Sequence, residues 1–148
     1  MTRVTHLHAT TGYESLDEAF PIIECGHEPL GTRVIVQLRT PKGKTKGGII
    51  LASETRDADQ WNTQVAKVIS IGPLAFRNRQ TGNPWPEGAW AKEGDFVRVP
   101  KFGGDRWQVE YAPPGRLRTP DDMAIFCLFN DLDLVAKVKD PLTVVAFV

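Results

Sequence analysis

The sequence predicts an all-β protein, a small barrel or sandwich of short strands. Six short runs rich in β-branched and aromatic residues alternate with turn signals. Thirteen glycines and eleven prolines in 148 residues are spread so that no long helical periodicity survives. One run, Ala124 to Phe129, is almost continuously apolar, the pattern of a strand covered on both faces.

Taken in order, Ser15-Leu16-Asp17-Glu18 has the form of a capping box and opens a short helix that must end at Pro21. Arg33 to Leu38 is a β-branched strand between Gly31 and Pro41. Val65 to Ile71 is a second, stopped by Gly72-Pro73. Phe96 to Val99 follows the Gly94-Asp95 turn and stops at Pro100. Arg106 to Tyr111 alternates, with Trp107, Val109 and Tyr111 on one face. Ala124 to Phe129 and Leu134 to Val138 complete the set. Three segments do not read as strands: Thr40 to Asp59, basic and glycine-rich at its start and acidic at its end; Leu74 to Lys92; and Ala112 to Pro120.

A chain of 16.4 kDa with 41% hydrophobic and 24% charged residues builds one ordinary globular domain. Its 18 Lys+Arg balance 18 Asp+Glu, so there is no basic surplus for gripping a phosphate backbone. Two cysteines, Cys25 and Cys127, are too few for a disulfide scaffold and point to a reducing compartment. No apolar run has the length of a signal peptide or a membrane span, so a soluble cytoplasmic protein is expected.

Catalytic patterns fail on spacing. Gly43-Lys44-Thr45 would need glycine at position 38 to complete a phosphate loop, and Leu38 stands there. His6, His8 and the Cys25-Gly26-His27 pair have no complete ligand set around them. Ser15, Ser53 and Ser70 sit in no nucleophile elbow, and Cys127 lies where a thiol is inert packing. Asp131 and Asp133 read as a solvated turn. No enzyme, cofactor or metal is expected. Basic and aromatic residues interleave at Phe76-Arg77-Asn78-Arg79, Trp85, Lys101-Phe102 and Arg106-Trp107, which keeps a nucleic-acid-binding barrel as an alternative.

The informative segment is Gly47-Gly48-Ile49-Ile50-Leu51, three bulky aliphatics inside a polar stretch. Either they form an edge strand and pack at home, or they dock into a partner. The physics of the residues leaves both open.

From Glu28 to about Val138 the chain resembles the GroES-type co-chaperonins. Pro29-Leu30-Gly31-Thr32-Arg33-Val34-Ile35-Val36 is similar to that family's opening strand, with Thr32 in place of its usual Asp. Lys46-Gly47-Gly48-Ile49-Ile50-Leu51 resembles its mobile loop, and Val65 to Pro73, Glu93 to Val97, Asp121 to Phe126 and Asp131 to Ala136 resemble its later strands in the same order. The resemblance implies a small GroES-like β-barrel over 29–138, with a mobile loop at 40–59 and a roof β-hairpin at 74–92, between an N-terminal extension 1–28 and a C-terminal tail 139–148. It implies a lid that caps a GroEL-type chaperonin through Gly47, Gly48, Ile49, Ile50 and Leu51. ATP is bound by the partner, and the lid itself is a homo-oligomeric ring, a heptamer, over an unfolded client. The roof excursion is longer than the family's and carries Arg77, Arg79, Trp85 and Trp90, which would face the cavity. Such embellished lids resemble those encoded by bacteriophages, with a capsid protein as client in the host cytoplasm. Ring closure by terminal strands would use Val34 to Leu38 and Leu134 to Val138. The alternatives to this reading are a nucleic-acid-binding β-barrel and a virion structural protein.

For the loop, burying one Val, Leu or Ile is worth about 1.5–3 kcal/mol, so Ile49, Ile50 and Leu51 supply roughly 5–9 kcal/mol gross. Ordering around ten loop residues at about 1–2 kcal/mol each nearly cancels this. One loop therefore binds weakly, and a ring of tethered loops binds firmly because each docking raises the effective concentration of the next.

Overall fold

The computed structural model describes residues 13, 15–40, 64–101, 103–120 and 122–144. Six strands form one antiparallel sheet: β1 (Arg33–Leu38), β2 (Val65–Ile71), β3 (Phe96–Arg98), β4 (Asp105–Glu110), β5 (Met123–Asn130) and β6 (Ala136–Lys137), in the order β4-β5-β1-β2-β3-β6. The bounds of β1 and β2 match the runs of β-branched residues read from the sequence. Ser15 caps a single helical turn, α1 (Leu16–Ala19), its hydroxyl accepting from the Glu18 amide at 3.2 Å.

The period of two explains the burial. Val34, Val36 and Leu38 of β1 meet Ala66, Val68, Val97, Ile125, Cys127, Phe129 and Leu134 in the principal core. The sheet curls around this core as the small β-barrel the sequence predicts. Ile35, Ala124 and Phe126 point the other way, into a second cluster roofed by Trp107, Val109 and Tyr111. β5 is thus apolar on both faces because both faces are covered. A third cluster joins Tyr13, Ala19 and Phe20 of the N-terminal extension to Val65 and to Leu142 of the C-terminal tail. Tyr13, Ala19 and Phe20 are therefore built into the barrel's flank.

The last strand is shorter than its sequence run. Of Leu134 to Val138 only Ala136–Lys137 pairs, with β3. Leu134 instead turns into the principal core. The 74–92 excursion is a compact hairpin with a single bridge, Arg77 to Pro84. Asn78 organises its tip, its side-chain oxygen accepting from Gln80 N at 2.8 Å and Thr81 N at 3.1 Å.

Candidate functional site

The candidate docking residues Gly47, Gly48, Ile49, Ile50 and Leu51 lie outside the described residues, as does most of the 40–59 loop. The structure describes the two points where that segment leaves the sheet. Arg39 N donates to Val65 O at 3.0 Å, so β1 and β2 stay paired to their ends. Gln64 is tied to the sheet: its backbone carbonyl accepts from Val99 N at 2.8 Å, its side-chain Nε2 donates to Val99 O at 3.1 Å, and its side-chain oxygen accepts from Arg98 at 2.9 Å. Thr40 N donates to Ala19 O at 2.8 Å, and the Tyr13 hydroxyl donates to Thr40 O. Arg39 is 4% exposed and lies 5.2 Å over the Tyr13 ring.

The roof set divides. Trp85 and Trp90 flank Phe76, with ring centroids 5.5 and 6.5 Å from it and 4.9 Å from each other. Both tryptophans are half-buried against the principal core, so they fasten the hairpin to the barrel. Arg77 and Arg79 are exposed, and Arg77 donates to Gly82 O across the hairpin at 3.1 Å. Both arginines line a recess of about 480 Å³ above the 3-10 turn Asp131–Asp133. The sequence reading of that turn as solvated is corrected for Asp131. It is buried, and its carboxyl oxygen accepts from the amide of Phe76 at 2.9 Å. Phe76 has φ 60°, a left-handed conformation costly for a residue with a side chain. Asp131 thus latches a strained corner. Nothing local in the sequence signals it, because its partner lies 55 positions away.

The expected use of Val34 to Leu38 in ring closure is corrected as well, whereas Leu134 to Val138 supplies the edge strand β6. Val34 to Leu38 is flanked by β5 on one side and β2 on the other, so its hydrogen-bonding edges are filled. Among the described residues the unpaired edges belong to β4 and β6. Beside β6 is an apolar groove of about 300 Å³ lined by Trp90, Val97, Leu134 and Val135. Leu132, which also lines it, and Val135 are 66% and 60% exposed, and the extended chain before β1 exposes Ile22 and Leu30. Lys137 of β6 meets Asp95 at 3.2 Å. The Lys92 amide and this lysine hold the Asp95 carboxyl below its ordinary range.

Of the aromatics that interleave with basic residues, Phe76, Trp85 and Trp107 are used internally, and Phe102 lies outside the described residues. Trp107 stacks on Phe126 at 5.9 Å, and its indole N–H donates to Cys25 O at 2.9 Å. Cys25 and Cys127 are both buried free thiols, and burial pushes Cys127 up to about 11. The Ala112 to Pro120 loop is anchored by Asp122, whose carboxylate takes the Arg116 guanidinium at 2.8 and 2.5 Å and the Thr119 amide at 2.7 Å. Arg116 first, then the Thr119 amide, hold Asp122 down to about 2 against the opposing cost of burial. Among the described residues, no cluster of three or more His, Cys, Asp or Glu is arranged to hold a metal ion, and no helix is long and apolar enough to cross a membrane.

Residues 27–126 match the chaperonin 10 kDa subunit family. Among similar proteins, the co-chaperonin GroES of Limosilactobacillus reuteri is 36% identical over 84 residues, 57% of this chain and 79% of that protein. The co-chaperonin GroES of Thermus thermophilus is 35% identical over 83 residues, 56% of this chain and 74% of its own length. The co-chaperonin GroES of Tetragenococcus halophilus is 30% identical over 112 residues, covering 76% of this chain and 98% of that protein.

Proposed function

The chain belongs to the chaperonin 10 kDa subunit family, and from that premise we propose that it caps a GroEL-type chaperonin in an ATP-dependent manner, through the segment between Thr40 and Gln64. The observation that carries the reading is the pairing of two features. The family match spans the whole of 41–63, and that segment contains Ile49-Ile50-Leu51 while both of its exits are fixed to a rigid sheet. A docking triplet on such a base presents itself to a partner without deforming the barrel. Nucleotide acts on the partner, by favouring the chaperonin state that opens an apolar groove to the triplet.

The working form is a homo-oligomeric ring, a heptamer by analogy with the family, closed in the cytoplasm over an unfolded client. The support for self-association is the open edge of β6 beside exposed Leu132 and Val135, with exposed Ile22 and Leu30 available from a neighbour's extended segment. The lengthened hairpin and the built-in extension support a phage-encoded lid shaped for a capsid protein, with Arg77 and Arg79 facing the client.

The test is capture of chaperonin with and without ATP, alongside native mass. Wild type binds only with nucleotide and weighs as a ring, whereas Ile50→Asp keeps the ring mass and loses capture. Retained ATP-dependent capture by Ile50→Asp sinks the docking role. A strictly monomeric wild type sinks the ring.

A further inference from the structure

We infer that the N-terminal extension and C-terminal tail form a brace that holds the near exit of the docking segment, and so sets how often that segment is presented for capture. The inference rests on the docking reading above. The two exits are held by different parts of the chain. The far exit, Gln64, is held by Arg98 and Val99, inside the family-matched barrel. The near exit keeps its backbone bond from Arg39 to Val65, and beyond that it is held by residues outside the match. Both backbone polar groups of Thr40 are taken by the extension: its amide donates to Ala19 O at 2.8 Å, and its carbonyl accepts from the Tyr13 hydroxyl.

Arg39 locks this arrangement. Its buried guanidinium lies on the Tyr13 ring and donates to Pro141 O at 2.9 Å and Val144 O at 2.5 Å, both in the tail. Phe20, Val65 and Leu142 share a hydrophobic cluster with Tyr13. This guanidinium cannot swing out without taking its donor away from the carbonyls of Pro141 and Val144. The backbone direction at Thr40 is therefore fixed before any partner arrives.

The kinetic consequence is specific. A segment that is binding-competent for only a fraction of the time associates more slowly in proportion to that fraction. Once docked, the contacts of Ile49, Ile50 and Leu51 govern release. The brace acts on association and the triplet on dissociation. Tyr13 is a positioning residue in this scheme.

The experiment uses the full chain and an ATP-loaded GroEL-type chaperonin, and reads association rate, dissociation rate, hydrogen exchange of the Thr40 amide, and Tm. Tyr13→Phe removes one donor and keeps the ring under Arg39. Association slows about threefold to fivefold, the loss expected for one net hydrogen bond. Thr40 exchange quickens, and dissociation is unchanged. Val138→Ala loosens the same cluster, beside the Phe96 backbone, and serves as the packing control. It lowers Tm and leaves association alone. Wild-type association by Tyr13→Phe, or equal slowing by Val138→Ala, overturns the brace while leaving the docking segment intact. A wild type that captures no chaperonin sinks the docking reading, and the brace's role falls with it.

Discussion

The latch at Asp131 makes a quantitative prediction. Asp131 is 4% exposed and Phe76 is 3% exposed, so the bond from the Phe76 amide to the Asp131 carboxyl is shielded from water. Asp131→Ala removes the acceptor and strands a buried N–H, which costs about 1–3 kcal/mol. Phe76 sits at φ 60°, where a side chain costs about 1–2 kcal/mol, so the corner has a cheaper way out by relaxing and the penalty settles at about 2 kcal/mol. Asp131→Asn keeps an oxygen in place and should lose less than about 1 kcal/mol. For a chain of this size ~2 kcal/mol lowers Tm by about 4–8 °C. Calorimetry at pH 7 and one fixed protomer concentration measures both variants, because self-association moves Tm with concentration. Near-ultraviolet dichroism of Trp85 and Trp90, which flank Phe76, follows the corner itself. Equal losses for Ala and Asn, or an Ala variant within about 0.5 kcal/mol of wild type, refute the latch.

Two further predictions follow from the geometry. Asp122 has its folded pKa lowered to about 2 from 3.8, so its contribution is full well above pH 4 and fades as pH falls through that range towards 2. With Arg116 about half exposed, about 1–2 kcal/mol is at stake, and Asp122→Asn should flatten the acid limb of a Tm-against-pH curve; an unchanged limb counts against the anchor. Gly104 has φ +79°, and an added Cβ would lie 2.3 Å from the Cys127 sulfur and 2.8 Å from Leu128 O, whereas Gly115 at φ +80° has open space around it. Gly104→Ala should cost about 3 kcal/mol or more in urea unfolding and Gly115→Ala about 1 kcal/mol, and equal costs would remove overlap as the cause.

The frame of the molecule was legible because strand periodicity is local. Val34, Val36 and Leu38 against Ile35 is a pattern that any reader of β1 can turn into two faces. β5 announced its double burial by having almost no polar residue to expose. The ends of the chain were harder. Leu134 to Val138 looks like a full strand, yet Leu134 is drawn into the core and only two residues remain for the ladder. Which strand is central is likewise a tertiary fact: β1 opens the sheet in sequence and lies inside it in space. Asp131 and Arg39 act across 55 and about a hundred positions, with backbone partners that carry no side-chain signature. The docking triplet was readable as three aliphatics in polar company, and its surroundings as a motif order, while the brace was invisible because tyrosine and arginine look like ordinary surface residues until they are buried together.

Among the described residues, the sheet's two free margins are unlike each other. One is the six-residue β4, bearing exposed Asp105, Gln108 and Glu110, and the other is the two-residue β6 beside greasy Leu132 and Val135. Copies that join one margin to the other meet nose to tail, each offering a different patch. Such a chain of copies either bends back onto its first member or grows into a fibre, and only the angle turned at each junction decides which. A single substitution that altered that angle would change a finite particle into an unbounded one without touching a single residue of the barrel's interior.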